Sequence, residues 1–457
     1  MLGASYFFAQ LISSFAWGRL SDVVGRKISL LLGMIGTIVS AIMLGMSTTL
    51  SLAIAARLLN GLLNGNIGII KSFLAEITDG SNRVRGFSLL SLGWGVGAAI
   101  GPLLGGLLAH PTESLPSIFG GSHFLERYPF LLPCLAVSIV QVATFLTTTT
   151  LMIEPRRTGK SRLDESSLQS KLMGTVPSNS SNATRVQVKP GILGRFQAKP
   201  GILGNISRYS LSACLAYGIL SLVNSVDQLL IVLLMQRPRD NGGVSLSISE
   251  AGFILSTSSL LMFVSNMFLP SLSKRFGKFN LLNSGLVLLA FITFLTPILS
   301  EIINDMLHSV SSSVLSAIGS SLLWILVGMR QLITVSMFSI VLVLVSNSAS
   351  PTNIGSVNGI GQSLASLLRA LGPIFAGQLW VVTRNIVGLH DKSSLLMLES
   401  EASSSSSLIA NQLAFTAPGI MILAFLAFIK SMPRSLEHPW RSDRNLNLQG
   451  TFNATAT

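Results

Sequence analysis

The chain has 457 residues, of which 49% are hydrophobic and only 11% charged, and its mean hydropathy is +0.63. Soluble domains carry roughly twice that charge, so an assembly of soluble domains is excluded in favour of one membrane body. The net charge of +13 falls in short Lys and Arg clusters between apolar runs, with little aromatic interleaving, which excludes a nucleic-acid surface and fits the loops of a membrane protein.

Apolar windows long enough to cross about 30 Å of hydrocarbon as a helix fall at 2–17, 28–47, 51–71, 87–109, 129–151, 209–235, 250–270, 279–300, 320–346, 356–383 and 408–430. The predicted fold is an all-α integral membrane protein of eleven spans. The first residues lack a basic region and a small-residue cleavage site, so no cleaved signal peptide is expected. Connections 18–28, 71–86, 152–208, 271–279 and 430–457 hold most of the 31 Lys and Arg residues, which puts them in the cytosol, with the N-terminus outside and the C-terminus inside. The expected organisation is an N-terminal bundle of five spans (1–151), a disordered cytosolic linker (152–208), a C-terminal bundle of six spans (209–430) and a cytosolic tail (431–457). Within the linker KPGILG occurs at Lys189–Gly194 and again at Lys199–Gly204, as a docking motif or as slippage. The sequons at Asn179, Asn182 and Asn205 lie on the cytosolic side and are expected to stay unglycosylated. Cys134 and Cys214 sit in apolar runs as packing residues; no disulfide, metal site or other cofactor is expected.

The sharpest local pattern is the charged turn Gly18-Arg-Leu-Ser-Asp22-Val-Val-Gly25-Arg26-Lys27. Gly18 and Gly25 allow close backbone approach and positive φ. Asp22 can cap or pair near a helix end, and Arg26 and Lys27 hold the turn at the cytosolic surface. Arg57 lies within a span, followed by Asn60, Gly61, Asn64 and Gly65; it either faces a cavity or partner or snorkels to the helix end. Gly97, Gly101 and Gly105 recur four apart beside Pro102 and Gly106, a smooth groove on a helix that can bend at the proline. In the second half, Lys274, Arg275, Gly277 and Lys278 sit where a mirrored turn belongs, without the Asp and the first Gly. The run from Asn358 to Gly377 is another small-residue helix, bent at Gly372-Pro373 and carrying Arg369. Asp227 is the one acid clearly inside a span, as a proton carrier or in a wetted vestibule. Gln10, Asn60, Asn64 and Gln228 are either interhelical hydrogen bonds or ligand contacts, and Arg330 lies within a span or at its edge.

In order and spacing these motifs resemble the major facilitator superfamily: G-x-L-[AS]-D-x-x-G-R-[KR] between the second and third helices, R-x-x-x-G-x-x-x-G on the fourth, and G-x-x-x-G-P-x-x-G-G on the fifth. The S-x-x-R-x-x-G-P stretch at Ser366–Pro373 is similar to zinc-induced facilitator-like and fungal drug:proton antiporter relatives. The resemblance implies two helical bundles working by alternating access about a midplane site. It implies a role for Arg57 in substrate or proton coupling, and a fifth-helix hinge, seen chiefly in antiporters, that seals the extracellular side in one state. Family members have twelve spans; Met1 stands just outside what resembles the second, so the first helix is expected to be missing from this chain. The function so implied is secondary active transport, by proton-coupled antiport, exporting a small organic solute or metal chelate. The expected partners are that solute, protons and the lipid bilayer, with no nucleic acid and a monomeric chain, in the plasma membrane or a vacuolar or other endomembrane. The alternatives are a non-transporting receptor or scaffold that uses 152–208 for interaction, or an inactive truncated product. A Walker motif, paired His and a Cys–His set are all absent, so enzyme chemistry is not expected.

Overall fold

A computed structural model describes residues 2–109, 111–114, 119, 122–154, 207–238, 243–307, 313–350, 353–393 and 401–439. Among them there are helices and connecting turns and no strand. The KPGILG pair, the three sequon asparagines and residues 440–457 lie outside the described residues, as does the linker from 155 to 206.

A bilayer offers the backbone no water, so each apolar run satisfies its own N–H and C=O groups as a helix. The first set is α1 (Leu2–Val24), α2 (Arg26–Gly45), α3 (Leu50–Leu63), α4 (Asn66–Ile77), α5 (Arg83–Leu108) and α6 (Leu131–Leu151). The second is α7 (Arg208–Gln236), α8 (Ile248–Ser258), α9 (Leu261–Phe276), α10 (Lys278–Leu307), α11 (Ser313–Ser348), α12 (Ile354–Ser393) and α13 (Glu401–Ser431), closed by a 3-10 turn at Arg434–Glu437. Local chemistry fixes several starts: the Thr49 hydroxyl accepts from the Leu52 N–H at the head of α3, and Ser247 and Glu250 form a reciprocal capping box on α8.

Among the described residues ten segments are long and apolar enough to cross a membrane, α3 with α4 and α8 with α9 each making one. The eleventh predicted span, 2–17, is a helix but not one of the ten. Gln10, Ser13, Ser14 and Ser21 of α1 are buried against other helices, and they lower its hydropathy while serving helix contacts.

The charged connections are shorter than expected. The turn 18–28 reduces to Gly25 alone, at φ 122° and ψ 159° between α1 and α2, and Gly18 stays helical. The connection 71–86 contracts to 78–82, which draws Lys71 and Arg83 into helices. With Arg26 they are buried, at 2%, 8% and 4% exposure, so three charges read as loop charges belong to the interior. Arg330 falls inside α11. Parts of the predicted linker and tail also dock, since Glu154 and Glu437 each bond a helix start.

The apolar core joins α5, α7, α10, α11, α12 and α13 around fully buried Phe87, Leu220, Leu282, Leu286, Ile340 and Phe425. Lipid is as apolar as these side chains, so packing and dispersion hold this core more than exclusion of water does. The outward faces present Ile139, Met267 and Phe291.

Candidate functional site: polar contacts between the two sets of helices

At the end of the molecule that carries the basic turns, the last turn of α1 meets the first turn of α12. The Asp22 carboxylate accepts from the Gly355 N–H at 3.0 Å, the Ser356 N–H at 2.8 Å and the Ser356 hydroxyl at 3.0 Å, the placement a helix N-terminus favours for an anion. Asp22 also pairs with Arg26 at 2.8 Å. The guanidinium of Arg26 bonds Glu76 through Nε at 3.0 Å and Nη2 at 2.5 Å, and the Ser21 hydroxyl through Nη1 at 2.5 Å. Glu154 accepts from the Arg26 and Lys27 N–H groups at 2.6 and 2.8 Å, and Lys27 Nζ donates to the Thr149 carbonyl at 2.7 Å. A Cβ at Gly18 would strike the Gly355 carbonyl and the Gly359 Cα, so α1 and α12 cross glycine against glycine. Beside this crossing, Arg83 of α5 donates to Asn347 Oδ1 of α11 at 2.6 Å.

Deeper between the two sets lies a second polar layer. Lys71, six residues before the end of α4 and so about 9 Å into the helix, donates to Tyr217 Oη at 2.9 Å and Gln362 Oε1 at 2.8 Å. Its ammonium also stands 4.2 Å from the Tyr217 ring centroid. Tyr217 donates to the same Gln362 oxygen at 3.1 Å. Gln362 Nε2 and the Ser366 hydroxyl reach Gln10 Oε1 at 3.4 and 2.7 Å, and Gln10 donates to Tyr6 Oη at 3.1 Å. Asn64, which ends α3, donates to that hydroxyl at 2.9 Å. The chain of contacts thus runs from α3 and α1 through α12 to α4 and α7.

The predicted residues divide between this layer and other places. Arg369 bonds Ser221 at 3.4 Å and stands 5.5 Å over the Phe7 ring. The Nε of half-buried Arg57 is itself buried and has no hydrogen-bond partner among the described residues. Asn60 is half-buried, with its carbonyl taken by the Asn64 N–H at 2.9 Å, and Gln228 is exposed. Asp227 and Arg330 are brought together within the second set: Arg330 Nε donates to Asp227 Oδ2 at 3.2 Å, Nη2 pairs with Oδ1, and Nη1 bonds Thr296 at 2.5 Å. Gly61 packs on the Tyr6 carbonyl, Gly65 on Trp17 and Gly372 on Ser225, while a Cβ at Gly97, Gly101 or Gly105 would meet nothing within 4 Å. Pro373 is exposed on α12; Pro102 and Gly106 lie in α5, with surroundings outside the described residues. A recess of about 640 Å³ between α2, α4 and α6 is lined by Leu30, Ile70, Phe73 and Leu151 and touches none of these polar groups.

Lys71, Tyr217, Gln362, Glu76 and Glu154 escaped the sequence reading. For Lys71 a signal existed: Phe73, Leu74, Ala75 and Ile77 continue the apolar run past it to Thr78-Asp79-Gly80.

Comparison with known proteins now bears on this geometry. The sequence profile described as Major Facilitator Superfamily matches residues 1–373. The major facilitator superfamily multidrug transporter mfsB of Aspergillus fumigatus is 28% identical over 436 residues, covering 83% of this chain and 70% of its own. The protein zinc induced facilitator 1 of Arabidopsis thaliana is 28% identical over 382 residues, covering 83% and 74%. In fold, the chain is similar to the proton:xylose symporter XylE (TM-score 0.58, 13% identity, 95% of this chain and 87% of that one). It is similar too to the human organic anion transporter MFSD10 (TM-score 0.54, 20% identity, 94% and 82%). With a family match across most of its length and, among the described residues, ten segments able to span a bilayer, the chain belongs to the major facilitator superfamily as an integral multi-pass membrane protein, a secondary transporter and not an enzyme.

Proposed function

We propose that this chain is a proton-coupled antiporter that exports a small organic solute or metal chelate, acting as a monomer whose two sets of helices rock as bundles about the inner polar layer. The observation that carries the reading is the seat of Asp22 on the N-terminus of α12. It ties the two sets together at their basic end, which the positive-inside rule assigns to the cytosol, and the tie must break before a solute can enter from that side. Gly97, Gly101 and Gly105 face open space on α5, as a groove would that another helix fills only when the opposite end closes. The multidrug transporter among the relatives supports export of an organic solute. Arg57, Asn60, Asn64 and Arg369 line the solute path in this reading, and the buried Asp227–Arg330 pair is the proton carrier, since a proton on Asp227 would release Arg330.

Proteoliposomes holding the purified protein and an inside-acid pH step, screened with radiolabelled small organic solutes, are expected to accumulate at least one while the lumen loses acid. Accumulation of equal size with and without the pH step overturns the proton coupling. Release of lumenal acid by none of the solutes overturns the antiport.

A further inference from the structure

The inner polar layer carries positive charge without a fixed partner. Lys71 is 2% exposed, and its ammonium bonds two uncharged groups, the Tyr217 hydroxyl and the Gln362 amide oxygen. Arg369 stands two turns along α12 from Gln362 and 5.5 Å over the Phe7 ring, and Arg57 stands one turn before Gly61, which packs on the carbonyl of Tyr6. The three cations therefore share one stretch of the space between the two sets of helices. The carboxylates of α1 and of the ten spans all stand elsewhere among the described residues. Asp22 and Glu76 are held by Arg26, Asp227 by Arg330 and Glu250 by its own cap, while Glu301 and Asp305 are exposed on α10. A buried ammonium or guanidinium without a countercharge is costly, and hydrogen bonds to neutral groups repay only part of that cost. Other signs mark a place kept for a ligand. The buried Nε of Arg57 has no partner among the described residues. Aromatic rings flank the cations, with Tyr217 beside Lys71 and Phe7 beside Arg369, and Tyr6 meets Phe7 edge-on at 5.2 Å between centroids.

We propose that Lys71, Arg369 and Arg57 form the solute site and that it takes a small organic anion, whose carboxylate or similar group supplies the missing charge while its apolar body lies against Tyr6, Phe7 and Tyr217. This rests on the transporter reading and names its substrate class. Half-buried Arg57 and Arg369 receive the anion first, and Lys71 waits beneath them. The anion then stands beside Gln10, Gln362 and Ser366, whose hydrogen bonds join α1 to α12, so binding and the contact between the two sets are coupled in one place. At 20% identity the human transporter lends the fold alone, and the anion class rests on the charges of this chain.

Equilibrium binding to the purified, detergent-solubilised full chain tests this without any flux. Fluorescein is the anionic probe and rhodamine 6G a cation of similar size. Fluorescein is expected to bind at least tenfold tighter than rhodamine 6G, and Lys71→Gln or Arg369→Gln is expected to raise its Kd tenfold or more. Lys71→Arg keeps the charge and should stay within about threefold of the parent. Gln362→Glu supplies a carboxylate beside Lys71, so it should weaken fluorescein at least tenfold while raising the unfolding temperature, an outcome that a folding defect cannot imitate. Equal affinity for both dyes, or fluorescein binding unmoved by Lys71→Gln and Gln362→Glu, overturns the proposal. Competition by chloride that abolishes fluorescein binding to the parent, unmatched by an equal concentration of benzoate, assigns the charge to an inorganic anion and overturns its organic part. Anion binding with no flux in proteoliposomes would fault the transport reading instead, and flux of cations alone would fault the site.

Discussion

Two glycine turns occupy corresponding places in the two sets of helices, and they share one half of their chemistry. Gly25 joins α1 to α2 at φ 122°, and Gly277 joins α9 to α10 at φ 81°. In each set a glutamate that follows the last helix comes back to cap the helix after the glycine. Glu154 accepts from the Arg26 and Lys27 N–H groups, and Glu437 accepts from the Phe279 N–H at 3.0 Å. The other half differs. Three residues before the glycine stands Asp22 in the first set and Lys274 in the second; Asp22 reaches across to α12, while Lys274 is exposed. The shared part closes each set on itself, and the added acid joins one set to the other.

Removing the added acid breaks the comparison most. Asp22→Ala strips two N–H groups at the head of α12 of a charged acceptor, and hydrogen bonds to charged groups contribute about 1.5–3 kcal/mol. The expected result is a shift of about 2 kcal/mol, roughly 30-fold, toward the form open at the basic end. It is read as faster thiol labelling of a cysteine placed at Ser356. Unchanged labelling would mean that Asp22 does not hold the gate.

The glycines come next. Both residues lie in a region of φ and ψ that is essentially closed to other amino acids, at a cost of about 1–3 kcal/mol for alanine. Gly25→Ala adds a second penalty, because its Cβ would lie 2.8 Å from Glu154 Oε1, whereas at Gly277 the nearest atom, Glu437 Oε1, is 3.6 Å away. The unfolding temperature in detergent should therefore fall further for Gly25→Ala than for Gly277→Ala, with a difference of about 1 kcal/mol. Equal losses would show that Glu154 yields freely.

Smaller and matched effects are expected from Glu154→Gln and Glu437→Gln. Each keeps an acceptor but removes the charge from a helix N-terminus, about 0.3–1 kcal/mol, and salt should erase most of the loss at exposed Glu154. Thermal unfolding at low and high salt reads both; a loss at only one of the two would end the claim that the caps are equivalent.

The sequence made half of this comparison legible. Gly18, Asp22, Gly25 and Arg26 stood out because a tight charged turn between apolar runs concentrates its chemistry within ten residues. Glu154 was invisible beside it, since its bond to Arg26 spans 128 residues of chain, and nothing local in Glu154 marks a cap. Lys71 was lost for a different reason. A window that ends at the first charge assigns a buried ammonium to the loop, and only the apolar residues after it tell the two apart. Asp227 was visible as an intramembrane charge and Arg330 as a charge within a span or at its edge, yet their pairing needed the register of α7 against α11. The spans themselves were readable because a backbone in lipid has few alternatives to helix; α1 was read as a span at 2–17 and is a helix, although its polar inner face keeps its hydropathy below that of the ten spanning segments.

The smallest effect belongs to Lys274→Asp, which makes the second turn look like the first. If an acid three residues before the glycine were enough, this variant would create a second tie, from α9 to the head of α5. The head of α5 is already satisfied by its own turn. Asp79 Oδ1 accepts from the Ser81 N–H at 2.8 Å, the Ser81 hydroxyl at 2.6 Å and the Asn82 N–H at 3.1 Å, and the Asp79 carbonyl accepts from the Arg83 N–H at 2.9 Å. The Ser81 hydroxyl, followed by the backbone N–H groups of Ser81 and Asn82, holds the Asp79 carboxyl below its ordinary range, so this acid keeps its charge and its bonds to the turn. The head of α12 differs in that its Gly355 and Ser356 N–H groups are the ones that Asp22 takes. Lys274→Asp should thus change the unfolding temperature by the equivalent of less than about 0.5 kcal/mol, as exposed substitutions do, and leave the labelling rate at Ser356 as it was. A stabilisation of about 2 kcal/mol, the size expected for Asp22, would show that the acid alone makes the tie and that the asymmetry lies in one residue and not in the helix it faces.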